Sequence, residues 1–98
     1  MAERIMTLHP QGKAGVNIER TKYDEMRRAL LKVIPKDDEG VLFGDLGDLV
    51  VDHLNEDAYP KGLSVLWYVT TVKQDLEARG LIEQVPKAKP QRLRRMKN

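Results

Sequence analysis

Few side chains in this sequence could carry out catalysis or hold a metal ion. The only histidines are His9, in an arm with proline and glycine, and His53, beside Asp52; their spacing does not indicate that the two converge with a carboxylate, so we expect no metal site. The acidic run Asp37 to Glu39 lacks the alternating ligands of a calcium loop. No cysteine is present, and no nucleophile with a neighbouring base can be named. We therefore predict that the protein is not an enzyme and needs no cofactor.

The distribution of charge is the stronger signal. The net charge is +2, but residues 35–62 hold two Lys and Arg against eight Asp and Glu, whereas residues 86–98 hold six against none. Lysine and arginine can neutralise phosphates and release their counterions, so the basic end indicates a polyanionic partner. Ordinary solvated surface lysines and arginines are the alternative interpretation of the same residues.

The hydrophobic pattern predicts three helices. The first is expected to begin at a hydroxyl cap on Thr21 and to stop at Pro35. The second is a short, acid-rich helix in "GDLGDLVVDHLNED", and the third is expected to run from a cap at Ser64 to about Arg79. The stripes that should face the core are Tyr23, Met26, Leu30 and Val33; Leu46, Leu49, Val50 and Leu54; and Val65, Val69, Val72 and Leu76.

Short strands are predicted around these helices. The run "VLF" at 41–43 is a small strand that should pair with a distant segment. Gly80 is placed to end the third helix in the left-handed conformation, and "LIEQV" and "QRLRR" should then form a hairpin across "PKAKP". Leu93 is expected to anchor that hairpin to the body. Residues 1–18 are interpreted as an irregular or partly extended arm, and residues 19–96 as one domain.

Two adjacent aromatic residues begin the third helix. An exposed pair beside basic side chains could stack on unpaired bases, but a core with so few aromatic residues needs a large side chain. We therefore expect Trp67 to pack inward and Tyr68 to be the more exposed of the two.

The order of these elements resembles a winged-helix domain, an α+β fold with a three-helix core and a C-terminal β-hairpin wing. The most specific part is "DLEARGLIE", in which Leu76, Gly80, Leu81 and Ile82 match the abrupt end of a recognition helix and the entry to the first wing strand. The longer stretch "WYVTTVKQDLEARGLIEQVPKAKPQRLRR" is similar to a small bacterial family of uncharacterised winged-helix proteins. The resemblance covers residues 21–95.

This resemblance implies a transcriptional regulator that binds double-stranded DNA through the basic wing and the third helix. The positions that would contact DNA are Tyr68, Thr70, Thr71, Lys73 and Gln74 on the outward side of the helix, and Lys87, Lys89, Arg92, Arg94 and Arg95 in the wing. Asp75 and Glu77, expected on or near that surface, and the acidic second helix oppose this interpretation because they would repel phosphate. The alternative is a winged-helix protein–protein interaction module that does not bind DNA.

The remaining expectations concern location and assembly. No apolar run approaches the roughly 20 residues that cross a bilayer, and the first residues lack an apolar signal core, so we expect a cytoplasmic protein without membrane contact. The expected partners also include a second copy of the chain, in a homodimer with residues 1–17 swapping or packing between subunits. Replacing the three wing arginines with alanine is expected to abolish binding to duplex DNA while leaving the melting temperature nearly unchanged.

Overall fold

The computed structural model describes residues 3–60 and 63–96 and confirms an α+β fold. Two lysines counted above, Lys61 and Lys97, lie outside these residues. Among the described helices, none has the length and apolar character needed to cross a bilayer. The elements in chain order are β1 Arg4–Met6, β2 Asn17–Glu19, α1 Arg20–Val33, β3 Val41–Leu42, a 3-10 turn Phe43–Asp45, α2 Leu46–Val51, α3 Val65–Ala78, β4 Ile82–Gln84 and β5 Arg92–Arg95.

A three-stranded antiparallel sheet joins the middle of the chain to its last strand. The strand order is β3-β5-β4, so β5 lies between the other two. Leu93 of β5 is opposite Val41 on one side and Gln84 on the other, and its side chain is fully buried. The predicted hairpin, the distant partner of the "VLF" strand and the anchoring role of Leu93 are all confirmed.

The core forms where the stripes of α1 and α3 meet. Tyr23, Met26 and Leu30 on α1 are at most 1% exposed, and Val69, Val72 and Leu76 on α3 are fully buried. Complete burial of such a side chain contributes roughly 1.5–3 kcal/mol. These two stripes are confirmed except at their ends, Val33 and Val65, which are half-buried.

Helix α2 is shorter than the pattern predicts. It ends at Val51, so Leu54 lies beyond it, and only Leu46 and Val50 face the core. The prediction that Leu49 is buried is wrong, because its side chain is 40% exposed. A helix of six residues makes less than two turns and presents few positions to one side.

The hydroxyl caps predicted for two helices do not form. Helix α1 begins at Arg20, which places Thr21 inside it, and Ser64 precedes α3 without a capping hydrogen bond from its side chain. The chain enters α1 directly from β2, and the Arg20 amide donates to the Glu3 carbonyl at 2.8 Å. The segment that leads into β1 therefore satisfies one of the N–H groups at the helix start that have no partner within the helix.

The predicted end of the third helix is confirmed. Gly80 has a φ of +76°, its amide donates to the Glu77 carbonyl at 3.1 Å, and the Leu81 amide donates to the Leu76 carbonyl at 3.0 Å. These two bonds form a Schellman motif, which requires the left-handed conformation at this position. The chain can therefore turn at once from α3 into β4.

The N-terminal arm is a small hairpin attached to the helices. Strands β1 and β2 pair, the Thr7 amide donates to the Val16 carbonyl at 2.9 Å, and the Val16 amide donates to the Thr7 hydroxyl at 2.8 Å. A Cβ on Gly15 would lie 1.7 Å from the Thr7 carbonyl oxygen, so only glycine permits this approach. The partly extended arm expected from the sequence is thus paired, and the boundary at residue 18 falls inside β2.

Candidate functional site

The three arginines of the wing make hydrogen bonds within the fold. Arg92 Nε donates to the Glu39 carbonyl at 2.7 Å, and Arg95 Nε donates to the Ile34 carbonyl at 2.8 Å. Arg94 Nε donates to Glu83 Oε2 at 2.8 Å. All three side chains are only partly exposed. Binding of a phosphate by these guanidinium groups would compete with contacts that tie β5 to its neighbours.

The two lysines of the wing are placed differently. Lys87 and Lys89 lie in the connection between β4 and β5, and both are exposed. The two lysines are therefore as exposed as the sequence predicts for a cationic wing, whereas the three arginines are only partly exposed.

The outward face predicted for α3 is partly wrong. Thr71 is only 8% exposed and Lys73 only 6%, because α3 packs against α1 and α2 and also faces the wing. Lys73 Nζ lies 2.5 Å from Glu77 Oε1, donates to Gln91 Oε1 at 3.1 Å and sits 5.0 Å from the centre of the Phe43 ring. Tyr68, Thr70 and Gln74 are half-exposed. The exposed part of α3 therefore contributes no lysine to a DNA interface.

Asp75 is the centre of a buried hydrogen-bond network. Its side chain is fully buried and accepts bonds from the Leu8 amide at 2.8 Å, from Arg79 Nε at 2.8 Å and from the Tyr23 hydroxyl. Burial and then the bond to Asp75 raise the pKa of Tyr23, and the same carboxylate raises the pKa of Arg79. The prediction that Asp75 and Glu77 lie on the surface is wrong for both, since the Glu77 side chain is 9% exposed.

The aromatic residues of α3 take the opposite roles from those predicted. Trp67 is 45% exposed, whereas Tyr68 lies edge-on between Trp67 and Tyr59, with ring centres 4.9 and 5.3 Å away. Tyr59 is 6% exposed and donates its hydroxyl to the Lys22 carbonyl at 2.7 Å. Burial raises the pKa of Tyr59. Tyr59 fills the inward aromatic position that the sequence assigned to Trp67.

Helices α2 and α3 border an open groove of about 390 Å3. Val51, which lines it, is 53% exposed, and Leu66 in the first turn of α3 is 63% exposed. The residues that line it are Val51, Asp52, Leu54, Glu56, Tyr59, Pro60, Leu63 and Val65. We call Leu49, Val51, Leu66, Trp67 and this groove the α2–α3 surface. It combines an apolar floor with carboxylates at its rim.

A second, more polar cleft lies beside α1, with a volume of about 510 Å3. Its Glu25 carboxylate already accepts from Arg28 at 2.9 Å and from the Asn55 amide at 2.6 Å, and the Arg28 bond is the main cause of the lowered pKa of Glu25. Within residues 3–60 and 63–96, no three His, Cys, Asp or Glu side chains come together as possible metal ligands. The carboxylate of this cleft stabilises the loop after α2.

The α2–α3 surface could be found only in part from the sequence. The acid-rich second helix was recognised, but Leu49 was assigned to the core and Tyr59 was assigned no role. The exposure of Val51 and Leu66 depends on where α2 stops and how α3 is oriented. No local pattern of residues reports either property.

Comparison with known proteins places the chain in one family. The sequence pattern of the "Family of unknown function (DUF6958)" matches residues 4–93, nearly the whole chain, and the chain belongs to that family. Neither the curated proteins nor the solved structures gave a significant match.

Proposed function

We propose that this member of the DUF6958 family is a winged-helix domain that works as a protein-interaction module, with its partner bound at the α2–α3 surface. The winged-helix assignment is supported by the order of helices and strands, by the β3-β5-β4 sheet and by the abrupt turn at Gly80. This fold serves both nucleic-acid and protein partners, so the choice between them depends on the surface.

One observation carries the proposal: α2 and the first turn of α3 expose large apolar side chains. Leu66 and Trp67 are 63% and 45% exposed, and Val51 and Leu49 are 53% and 40% exposed. Single exposed apolar residues are ordinary, but four within α2 and the first turn of α3, two helices that contact each other, indicate a surface that another protein covers. Two exposed acidic residues, Asp48 of α2 and Asp52 in the groove lining, would repel a phosphate backbone.

A pair of matched substitutions tests the proposal. Leu66→Ser removes an apolar side chain from the α2–α3 surface, and Leu8→Ser makes the same change at a 45% exposed leucine of the arm. After nuclease treatment of a lysate from the source cell, the wild type and Leu8→Ser should retain the same protein, and Leu66→Ser should lose it. Retention by both variants, or loss on nuclease treatment, would refute the proposal.

Duplex DNA is the second candidate partner, because Lys87 and Lys89 are exposed at the tip of the wing. Thr70 and Gln74 would then be the half-exposed polar groups available on α3. Binding through two phosphate contacts would weaken with salt, and removing both lysines should lower the slope of log K against log salt by about 2. The control is the double alanine variant of two exposed lysines elsewhere, Lys32 and Lys36. A salt slope near zero for the wild type excludes this candidate.

A further inference from the structure

The groove within the α2–α3 surface has a definite shape and composition. Its walls come from the end of α2, from the loop that follows and from the start of α3. Among the described residues that line it, six are apolar or aromatic, and two, Asp52 and Glu56, are exposed carboxylates. Its volume of about 390 Å3 is near the low end of the range for small-ligand sites, roughly 300–1,000 Å3. A few side chains of a partner would therefore fill it.

The charges around the groove indicate which charge a bound segment of the partner should carry. Asp52 and Glu56 line it, and Asp57 lies in the adjoining cleft. Residues 35–62 as a whole carry a sequence net charge of −6, from two basic and eight acidic residues. A basic segment would be attracted to this region, whereas an acidic one would be repelled. Because these carboxylates are exposed, salt should weaken the attraction.

The secondary structure of the residues that line the groove indicates the conformation of the partner segment. None of the lining residues belongs to a strand, so the groove offers no sheet edge along which an extended peptide could pair. The loop between α2 and α3 supplies most of the described lining, and an apolar groove of this kind can accept the apolar face of an amphipathic helix, whose anchors recur every three or four residues. Val51 at the end of α2 and Val65 at the start of α3 are among the apolar lining residues that would contact those anchors.

We infer that the groove binds one basic amphipathic helix of a partner protein, with apolar side chains inserted between α2 and α3 and with lysine or arginine facing Asp52 and Glu56. This inference rests on the proposed function, because it specifies the partner of the same surface. It requires both the apolar floor and the acidic rim, and the two can be tested separately.

The probe is a designed helical peptide of about 15 residues, with leucines at positions i, i+3, i+4 and i+7 of each repeat and lysines elsewhere. Binding is followed by calorimetry and by the fluorescence of Trp67, the single tryptophan of the chain. Val51→Asp should weaken binding at least about tenfold, because it places a charge on the apolar floor. Val16→Asp changes an exposed valine of the arm and should leave the affinity unchanged.

Three further comparisons test charge and conformation. Glu56→Gln should weaken binding several-fold, whereas Glu39→Gln, at an exposed glutamate away from the groove, should not. A peptide with glutamate in place of lysine should not bind measurably. A peptide with a central proline, which breaks the helix, should bind at least about tenfold more weakly than the parent.

The outcomes separate failure of this inference from failure of the proposed function. Equal affinity of Val51→Asp and the wild type, or equal binding of the proline or glutamate peptide, overturns the inference. If Leu66→Ser still loses its protein partner in that case, the proposed function stands with a different kind of segment. If sedimentation shows that the wild type dimerises and Val51→Asp is monomeric, the occupant is a second copy of the chain, and the inference is wrong.

Discussion

Replacing the buried Asp75 with the isosteric asparagine should strongly destabilise this domain. Asp75→Asn keeps the shape of the side chain but replaces one accepting oxygen with an NH2 group. Asp75 accepts from an amide on one oxygen and from Tyr23 and Arg79 on the other, so at least one donor must lose its acceptor. A buried polar group left unpaired costs about 1–3 kcal/mol, and the lost hydrogen bond to a charged acceptor adds to that.

We therefore expect Asp75→Asn to lower the free energy of unfolding by about 3 kcal/mol, a large part of the roughly 5–15 kcal/mol typical of a domain. For a domain of this size that corresponds to a fall in melting temperature of about 12–24 °C. Urea denaturation monitored by circular dichroism gives the first quantity and a thermal scan the second.

The control for this prediction is Asp48→Asn, which changes an exposed aspartate of α2 and should alter stability by less than about 0.5 kcal/mol. Amide hydrogen exchange adds a local measurement, since the Leu8 amide donates to Asp75 and should lose protection in the variant. A destabilisation by Asp75→Asn no greater than that of the control, with Leu8 still protected, would show that the network does not tie the arm to α3.

Three further outcomes follow from contacts described above. Arg95→Ala removes the bond to the Ile34 carbonyl and should lower stability by about 1 kcal/mol in urea denaturation, whereas an unchanged midpoint would contradict a structural role. Gly80→Ala should lower the free energy of unfolding by about 1–2 kcal/mol, because φ at this position is +76°. Gly47→Ala in α2, where an added Cβ meets nothing within 4 Å, should be neutral or stabilising. Equal effects of the two substitutions would contradict the conformational argument. The raised pKa of Tyr59 favours the neutral phenol in the folded state, so its contribution to stability should be fully present below pH 10 and be lost as the pH rises further. Tyr59→Phe should therefore show a shallower fall in melting temperature between pH 9 and 11 than the wild type. Equal falls would mean that Tyr59 titrates normally.

The parts of the fold that the sequence predicted are those set by local patterns. The apolar spacing of Tyr23, Met26 and Leu30 identifies the buried side of α1 because helical periodicity is a property of neighbouring residues. The position of Gly80 similarly indicates the end of α3, since the left-handed residue and its hydrogen bonds lie within one turn.

The environments of the charged residues could not be predicted in this way. Arg92 donates to the carbonyl of Glu39, which is 53 positions away in the sequence, and Asp75 accepts from the amide of Leu8, which is 67 positions away. These partners therefore depend on the completed packing. The same reason explains why Lys73 was placed on the surface: its burial arises from the wing and from Phe43. The charge of these residues predicted that they would be exposed, but tertiary contacts bury them wholly or in part.

The central place of β5 in its sheet has a consequence for the order in which the domain can form during translation. Within the described residues, strand β3 pairs with β5 alone, about 50 positions later, and β4 pairs with the same strand. Closing so long a loop costs conformational entropy before any pairing energy is gained. While the ribosome has not yet released β5, the helices can make local contacts but the sheet has no middle, so the nascent chain gains its full cooperativity only when its final described strand emerges.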